Sequence, residues 1–278
     1  MAHIHWYPGH IAKAEKKLKE QISLVDVVIE VLDARIPLSS RYLNIEKLIG
    51  NKPRLILFNK SDMCDMEITK KWQSELKKET KYPVLLTSSH NQKDINIIVK
   101  NVLDLSKPAI DKLVEKGLLR RPARAMVVGM PNVGKSSVIN KLIKKTKTKT
   151  GSKAGVTRQQ QWVRINPNLD LLDTPGIIPL RQDDQIKATK LAFVNSLGEN
   201  AYDVEEVAEE FLNIAKQHYQ NVIKERYNLD EDISVMAIAI KRNWLIKQNE
   251  PDTLRAANYV LSDFRDGRLG KLTLDYFE

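Results

Sequence analysis

The chain has 278 residues, 45 Lys plus Arg against 35 Asp plus Glu for a formal net charge of +10, 42% hydrophobic residues and a single cysteine. That apolar fraction can bury a core at this length, which excludes a disordered polycation and suggests two domains. Cys64 alone cannot close an intramolecular disulfide or build a cysteine-based zinc site, Met1 to Lys19 has no apolar core of signal-peptide length, and the longest apolar stretches, such as Ile233 to Ile240, are far short of a membrane span. The expectation is a soluble, cytoplasmic protein with no membrane partner.

Ala12 to Ser23 reads as a short Lys-rich amphipathic helix, and Val25 to Asp33 is apolar and β-branched enough for a buried strand. Pro53 to Lys60 is a second strand. Ile68, Trp72 and Leu76 give Met66 to Thr80 a helical spacing, Pro83 to Thr87 is a third strand, and Ile95 to Leu118 reads as a helix interrupted at Pro108. Ala123 to Gly129 is a fourth strand, followed by a glycine-containing loop and a helix from Lys135 to Ile143. Gln160 to Ile165 and Leu169 to Asp173 are two strands joined by a turn at Asn166-Pro167-Asn168. This alternation predicts an α/β fold with a mostly parallel sheet and helices on both faces. After Pro179 the β-branched runs stop and helical patterns run from Gln185 to the end, which predicts two domains, 1–178 and an all-α 179–278.

The charge follows the same division. Residues 1–178 carry 32 basic and 17 acidic side chains, +15, and residues 179–278 carry 13 and 18, −5. Residues 116–169 hold no Asp or Glu and 13 Lys or Arg, with a run formed by Lys141, Lys144, Lys145, Lys147, Lys149, Lys153 and Arg158. Such a block repels itself unless an anion neutralises it, so it is either a solvated loop or a contact for a phosphate-rich polymer. Between Lys144 and Lys153 there is no aromatic residue on which a base could stack.

Gly129 to Ser136 (GMPNVGKS) matches the phosphate-loop pattern between a predicted strand and a predicted helix. Its backbone N–H groups and the helix start would face the β-phosphate, which brings Asn132, Val133, Gly134, Lys135, Ser136 and Ser137 to the nucleotide. Lys135 would bridge the β- and γ-phosphates and Ser136 would ligate Mg²⁺. Asp173-Thr174-Pro175-Gly176 follows a strand 44 residues after Gly129. Asp173 would hold Mg²⁺ through water and Gly176 would sense the γ-phosphate. Asn59-Lys60-Ser61-Asp62 ends another strand. The Asp62 carboxylate can accept from guanine N1–H and N2–H₂, a donor pair that adenine lacks, so it selects GTP or GDP. Asn59 would tie the base loop to the phosphate loop, and the Lys60 stem can lie over the purine. Thr157, between the phosphate loop and Asp173, is the candidate hydroxyl that closes over Mg²⁺ and the γ-phosphate.

The order of these motifs is unusual: the guanine motif precedes the phosphate loop, as in a circular permutation. With Trp6-Tyr7-Pro8-Gly9-His10, Lys13-Ala14, Asp33-Ala34-Arg35-Ile36-Pro37 and the stretch from Phe264 to Lys271, the chain resembles the bacterial ribosome biogenesis GTPase A family along essentially its whole length. The resemblance implies a circularly permuted P-loop GTPase domain followed by a helical RNA-binding domain. It further implies a GTPase that helps to mature the large (50S) ribosomal subunit, with rRNA as partner, and we expect a monomer. Other readings are an RNA-binding module gated by nucleotide with incidental hydrolysis, and a permuted GTPase of another ribosomal particle. The small-subunit class is expected to carry a zinc-binding Cys/His cluster that Cys64 cannot supply.

The chain departs from common GTPase patterns at two loops. Thr87-Ser88-Ser89-His90 stands where many carry S-A-K, making Ser88 and Ser89 the candidates for backbone contacts to the base, and Asn91 replaces an expected glycine. Ile177 occupies the position of the glutamine that orients water in many GTPases, and an aliphatic side chain cannot do so. His10, in its family-like segment, is one source of help. Asn132, which resembles the asparagine of potassium-stimulated GTPases and would bring K⁺, is another. The catalytic set expected is therefore His10, Lys135, Thr157 and Gly176. In the acidic C-terminal part, Lys241, Arg242, Lys247, Arg265, Arg268 and Lys271 are the candidates for a local RNA-binding face.

Overall fold

The computed structural model describes residues 4, 11–42, 44–88, 91, 94–147, 162–173, 175–177 and 184–277. Strand β1 (Val27–Asp33) is buried at every position and pairs in parallel with β2 (Arg54–Asn59) on one side and β4 (Ala123–Gly129) on the other. The continuous Val, Ile and Leu content of these strands suits a sheet covered on both faces. β2 shows how the cover is divided. Its Leu55 and Leu57 join the main apolar core with Ile95, Ile98 and Val102 of α4 (Asp94–Glu115), while the alternate Ile56 and Phe58 join Leu76 of α3 (Met66–Thr80) in a second cluster.

The sheet runs β3 (Val84–Leu86), β2, β1, β4, β6 (Leu169–Leu172), β5 (Trp162–Asn166), with β7 (Gly176–Ile177) also paired to β4. Among the described strands only β5 is antiparallel to its neighbour, joined to β6 by the turn at Pro167 and Asn168, where Asn166 Oδ1 accepts from the Asn168 N–H at 2.8 Å. The chain builds outward from β1 toward β3, then restarts at β4 and builds the other way. The crevice between the carboxyl ends of β1 and β4 is thus a topological switch point, where open α/β sheets bind ligands.

The remaining elements of this part are α1 (Ile11–Ser23), the short α2 (Ile45–Ile49), which periodicity does not announce, and α5 (Lys135–Lys147). The expected interruption at Pro108 does not occur. Proline sits inside α4, and buried Val102, Ser106 and Ile110 hold both flanks of the helix against the sheet despite the missing N–H.

The C-terminal part contains α6 (Gln185–Phe193), α7 (Val204–Tyr227), α8 (Val235–Lys241) and α9 (Thr253–Arg265), with side-chain N-caps from Asp184, Asp203, Ser234 and Asp252. Phe193, Phe211 and Phe264 meet at ring separations of 5.4 and 4.9 Å, and their apolar core is continuous with that of the sheet. The helical pattern does not persist to the end as expected. After Gly270, which has a φ of +82°, the chain runs extended back onto the α/β part with Leu272, Thr273, Leu274 and Asp275 all buried. The Leu274 N–H donates to Arg35 O at 2.7 Å, Trp72 Nε1 donates to Asp275 O at 2.7 Å, and the Asp275 carboxylate accepts from Ser39 Oγ at 2.7 Å and Lys190 Nζ at 2.9 Å. Period-two alternation across Leu272 to Asp275 is the local trace of this strap.

Two candidates for an RNA face are engaged by partners within the protein, Arg265 half-buried and Arg268 itself exposed. Arg265 donates to the carbonyls of Phe193 and Ala192, both at 2.9 Å, and Arg268 pairs with buried Asp263 at 3.0 Å. Burial alone would raise the Asp263 pKa, but hydrogen bonds from Arg226 and Arg268 hold it below the ordinary carboxylate value. Arg242 lies over the Tyr259 ring, whereas Lys247 and Lys271 are exposed.

Candidate functional site

The phosphate loop turns from β4 into α5, and its geometry depends on Gly134. With φ +98°, this residue sits where a Cβ would lie 2.1 Å from Asn59 Nδ2. The space goes to the Asn59 amide, which donates to Val133 O at 2.9 Å, so the end of β2 is fastened to the phosphate loop across the switch point. Lys135 is buried and donates to Met130 O at 2.6 Å; burial lowers its pKa to about 8. Ser136 and Ser137 are exposed on the first turn of α5. Asp173 follows β6, and Gly176 pairs with Val128 through β7, so both reach the same side of β4 as the phosphate loop.

Lys60 joins the two loops a second time. Its Nζ donates to Asn132 O at 2.9 Å and to Asp33 Oδ2 at 2.8 Å. Asp33 ends β1 and is fully buried. Burial pushes its pKa up, but the charges of Arg35 and Lys60, and their hydrogen bonds, more than offset this and hold it well below the ordinary carboxylate range. Arg35 grips Asp33 through Nε at 3.0 Å and NH2 at 2.9 Å, stacks on Phe264 at 4.6 Å and donates through NH1 to Phe264 O at 2.8 Å and Arg265 O at 3.2 Å. The tip of the phosphate loop also touches the chain beyond α6: Asn132 Nδ2 donates to Asn195 O, and Ser196 Oγ donates to Pro131 O at 2.6 Å.

The loop after β3 lies beside Asn59 to Asp62. The Ser61 N–H donates to Thr87 O at 3.0 Å, the Ser88 N–H donates to Asp94 Oδ2 at 3.0 Å, and Lys141 Nζ donates to Ser88 O and to Asn91 O. Lys141 therefore leaves the basic run in which the sequence places it: α5 turns it inward onto loop carbonyls.

The structure brings Asn59, Lys60, Val133, Gly134 and Lys135 together at the switch point, with Asn132, Ser136, Ser137, Asp173, Gly176, Asp62 and Ser88 on the adjoining loops and strand ends. His10, Ser89, Thr157 and the linker at Pro179 lie outside the described residues, as do Lys149, Lys153 and Arg158. Sequence reasoning missed the roles of Asp94, Lys141, Asn195, Ser196 and Arg265, and it used Asp33 and Arg35 only as marks of resemblance. The partners of Asn195, Ser196 and Arg265 lie more than 60 residues away along the chain.

Residues 124–245 match a family model described as 50S ribosome-binding GTPase. Over 98% of its length the chain is 40% identical to ribosome biogenesis GTPase A of Bacillus cereus, covering 93% of that protein. It is 31% identical to the Thermotoga maritima protein of the same name, over 97% of this chain and 93% of that one. The chain belongs to the ribosome biogenesis GTPase A family.

It is accordingly a GTPase, and its motif order is the circular permutation expected from the sequence. The fold is similar to GDP-bound TM YlqF and to GNP-bound YlqF from T. maritima, each with a TM-score of 0.66. Identities are 27 and 26%, over 94 and 95% of this chain and 98% of each solved chain. In this family member, β4 from Arg124 onward and the phosphate loop lie within the region matched by the family model, whereas the guanine motif precedes it.

Proposed function

We propose that the chain binds GTP and GDP at the β1–β4 switch point, hydrolyses GTP with Mg²⁺, and acts as a cytoplasmic monomer in late assembly of the large ribosomal subunit. It would bind rRNA in the GTP state and leave after hydrolysis. The observation that carries the nucleotide reading is the junction of Asn59 with Val133 and Gly134. One ligand with a base at one end and phosphates at the other needs the guanine motif and the phosphate loop held side by side. In this reading Asp62 selects guanine, backbone of the Ser88 and Ser89 loop adds contacts to the base, and Lys135 neutralises phosphate.

Ser136 at the exposed start of α5 and Asp173 at the end of β6 offer oxygen donors, which fit Mg²⁺, with Thr157 assigned to the same ion. Bound Mg²⁺ supplies charge neutralisation at the β- and γ-phosphates. Because Ile177 cannot orient water, we assign that task to His10. Asn132 Oδ1 is the atom a K⁺ ion would take, since the amide nitrogen is turned to Asn195, and rRNA would complete the site.

Similarity to ribosome biogenesis GTPases and the acid-free stretch 116–169 support the ribosomal reading. Sedimentation with 30S, 50S and 70S particles tests it. The protein is expected to travel with 50S or its precursors under a GTP analogue and to stay at the top of the gradient under GDP. Association with 30S, or association that ignores the nucleotide, would overturn it.

A further inference from the structure

The loop after β3 lacks the glycine expected at position 91 and is instead held by two side chains, one from the helix that follows it and one from α5. Asp94, the first residue of α4, accepts from the Ser88 N–H at 3.0 Å and from Asn91 Nδ2 at 2.7 Å, so one carboxylate fixes both ends of the short loop. Lys141 of α5 donates to Ser88 O and, at 3.1 Å, to Asn91 O. A third tether, the Ser61 N–H to Thr87 O at 3.0 Å, registers the loop against the guanine motif. Asp94 is buried and Lys141, half-buried, lines a small cavity with Asn59, Thr87 and Ser137, so the contacts at Ser88 are partly shielded from solvent while the one at Asn91 O lies at the surface.

The helix that supplies Lys141 is the one that begins with Lys135. Lys141 is six helical steps beyond Lys135, a rigid span of about 9 Å. The phosphate-contacting end of α5 and the lysine that holds the base-side loop are therefore on one rod, and the loop cannot drift from the phosphate loop without breaking contacts to charged groups.

We propose that Lys141 and Asp94 are positioning residues for guanine-nucleotide recognition: they set the loop after β3 at the distance from the phosphate loop that a guanine nucleotide spans. This rests on the guanine reading given above. Neither side chain touches nucleotide in this scheme; both act through Ser88 and Asn91.

The test is calorimetric binding of GDP, ADP and inorganic tripolyphosphate, the last reporting on the phosphate loop alone. Lys141→Met keeps the stem and removes the charge; it is expected to weaken GDP about tenfold, the scale of lost hydrogen bonds from a charged donor, and to leave tripolyphosphate within about twofold of wild type. Lys141→Arg should restore most of the GDP affinity, and Asp94→Asn should reproduce the selective loss. Unchanged GDP affinity, or equal losses for GDP and tripolyphosphate, would overturn the proposal. A wild-type protein that does not prefer GDP to ADP would instead remove the guanine reading itself, so the two failures are distinguishable.

Discussion

A methyl group at Gly134 would lie 2.1 Å from Asn59 Nδ2, the atom that joins β2 to the phosphate loop. Two costs therefore meet at one residue. Placing Ala in the left-handed region costs about 1–2 kcal/mol, and the clash forces Asn59 away from Val133 O, which then loses its buried donor at about 1–3 kcal/mol. Asn59→Ala incurs the second cost without the first. In that background, Gly134→Ala should cost only the backbone strain, so the two single-variant losses are expected to exceed the double-variant loss by at least about 1 kcal/mol in urea unfolding. Additive losses would mean that the loop moves aside and that the Asn59 bond is not its fastening. GDP affinity should fall in all three variants, because each disturbs the same side of the phosphate loop.

Among elements, the ends of β1, β2 and α9 are held by an ion group centred on buried Asp33 as well as by apolar packing. Arg35→Met leaves Asp33 buried with Lys60 as its remaining cation in the group, a change expected to cost about 3–5 kcal/mol. Its pH dependence has a definite sign. The folded pKa of Asp33 lies below the ordinary value near 3.9, so its contribution is full above about pH 4 and is lost as the pH falls below that. The stability gap between wild type and variant in urea should thus be constant from pH 5 to 7 and narrow steadily below about pH 4; a gap that persists unchanged at pH 3 would show that packing on Phe264 carries the effect. The strands themselves are legible in the sequence, because apolar, β-branched runs stop at Asp33, Asn59 and Gly129, broken only by Glu30 in the first, and the motif spacing locates the phosphate loop and guanine motif. The ion group is not, since an Asp-Ala-Arg turn carries no sign that its arginine reaches carbonyls 229 and 230 residues onward. In the sequence Lys141 is one of a basic run, because composition does not reveal which face of α5 a lysine leaves from. The strap after Gly270 was absorbed into a helical region because four alternating residues are too few to outweigh the periodicity before them.

Across the whole molecule, these contacts close into a circuit. Lys60 binds the phosphate-loop tip at Asn132 O and the β1 end at Asp33; Arg35 joins Asp33 to the last carbonyls of α9; Arg265 joins α9 to the last carbonyls of α6; Asn195 and Ser196, just beyond α6, return to Asn132 and Pro131. Each arginine donates to carbonyls at a helix C-terminus, where a cation is also favoured by the helix dipole. A nucleotide that fixes the phosphate-loop tip is therefore expected to stiffen α6 and α9 through these contacts, and by reciprocity the helices would favour the nucleotide-bound tip. Arg265→Met cuts this path between α6 and α9 while keeping an apolar stem. In wild-type protein, GDP is expected to slow amide exchange both in the phosphate loop and at Asp266, Gly267 and Arg268, whose N–H groups donate to carbonyls at the end of α9. In the variant, the phosphate loop should still respond, the α9 response should shrink, and GDP should bind several-fold more weakly. If α9 responds equally in both proteins, coupling runs through Lys60, Asp33 and Arg35 alone, or through the continuous apolar core, and the Arg265 link serves stability without carrying the nucleotide signal.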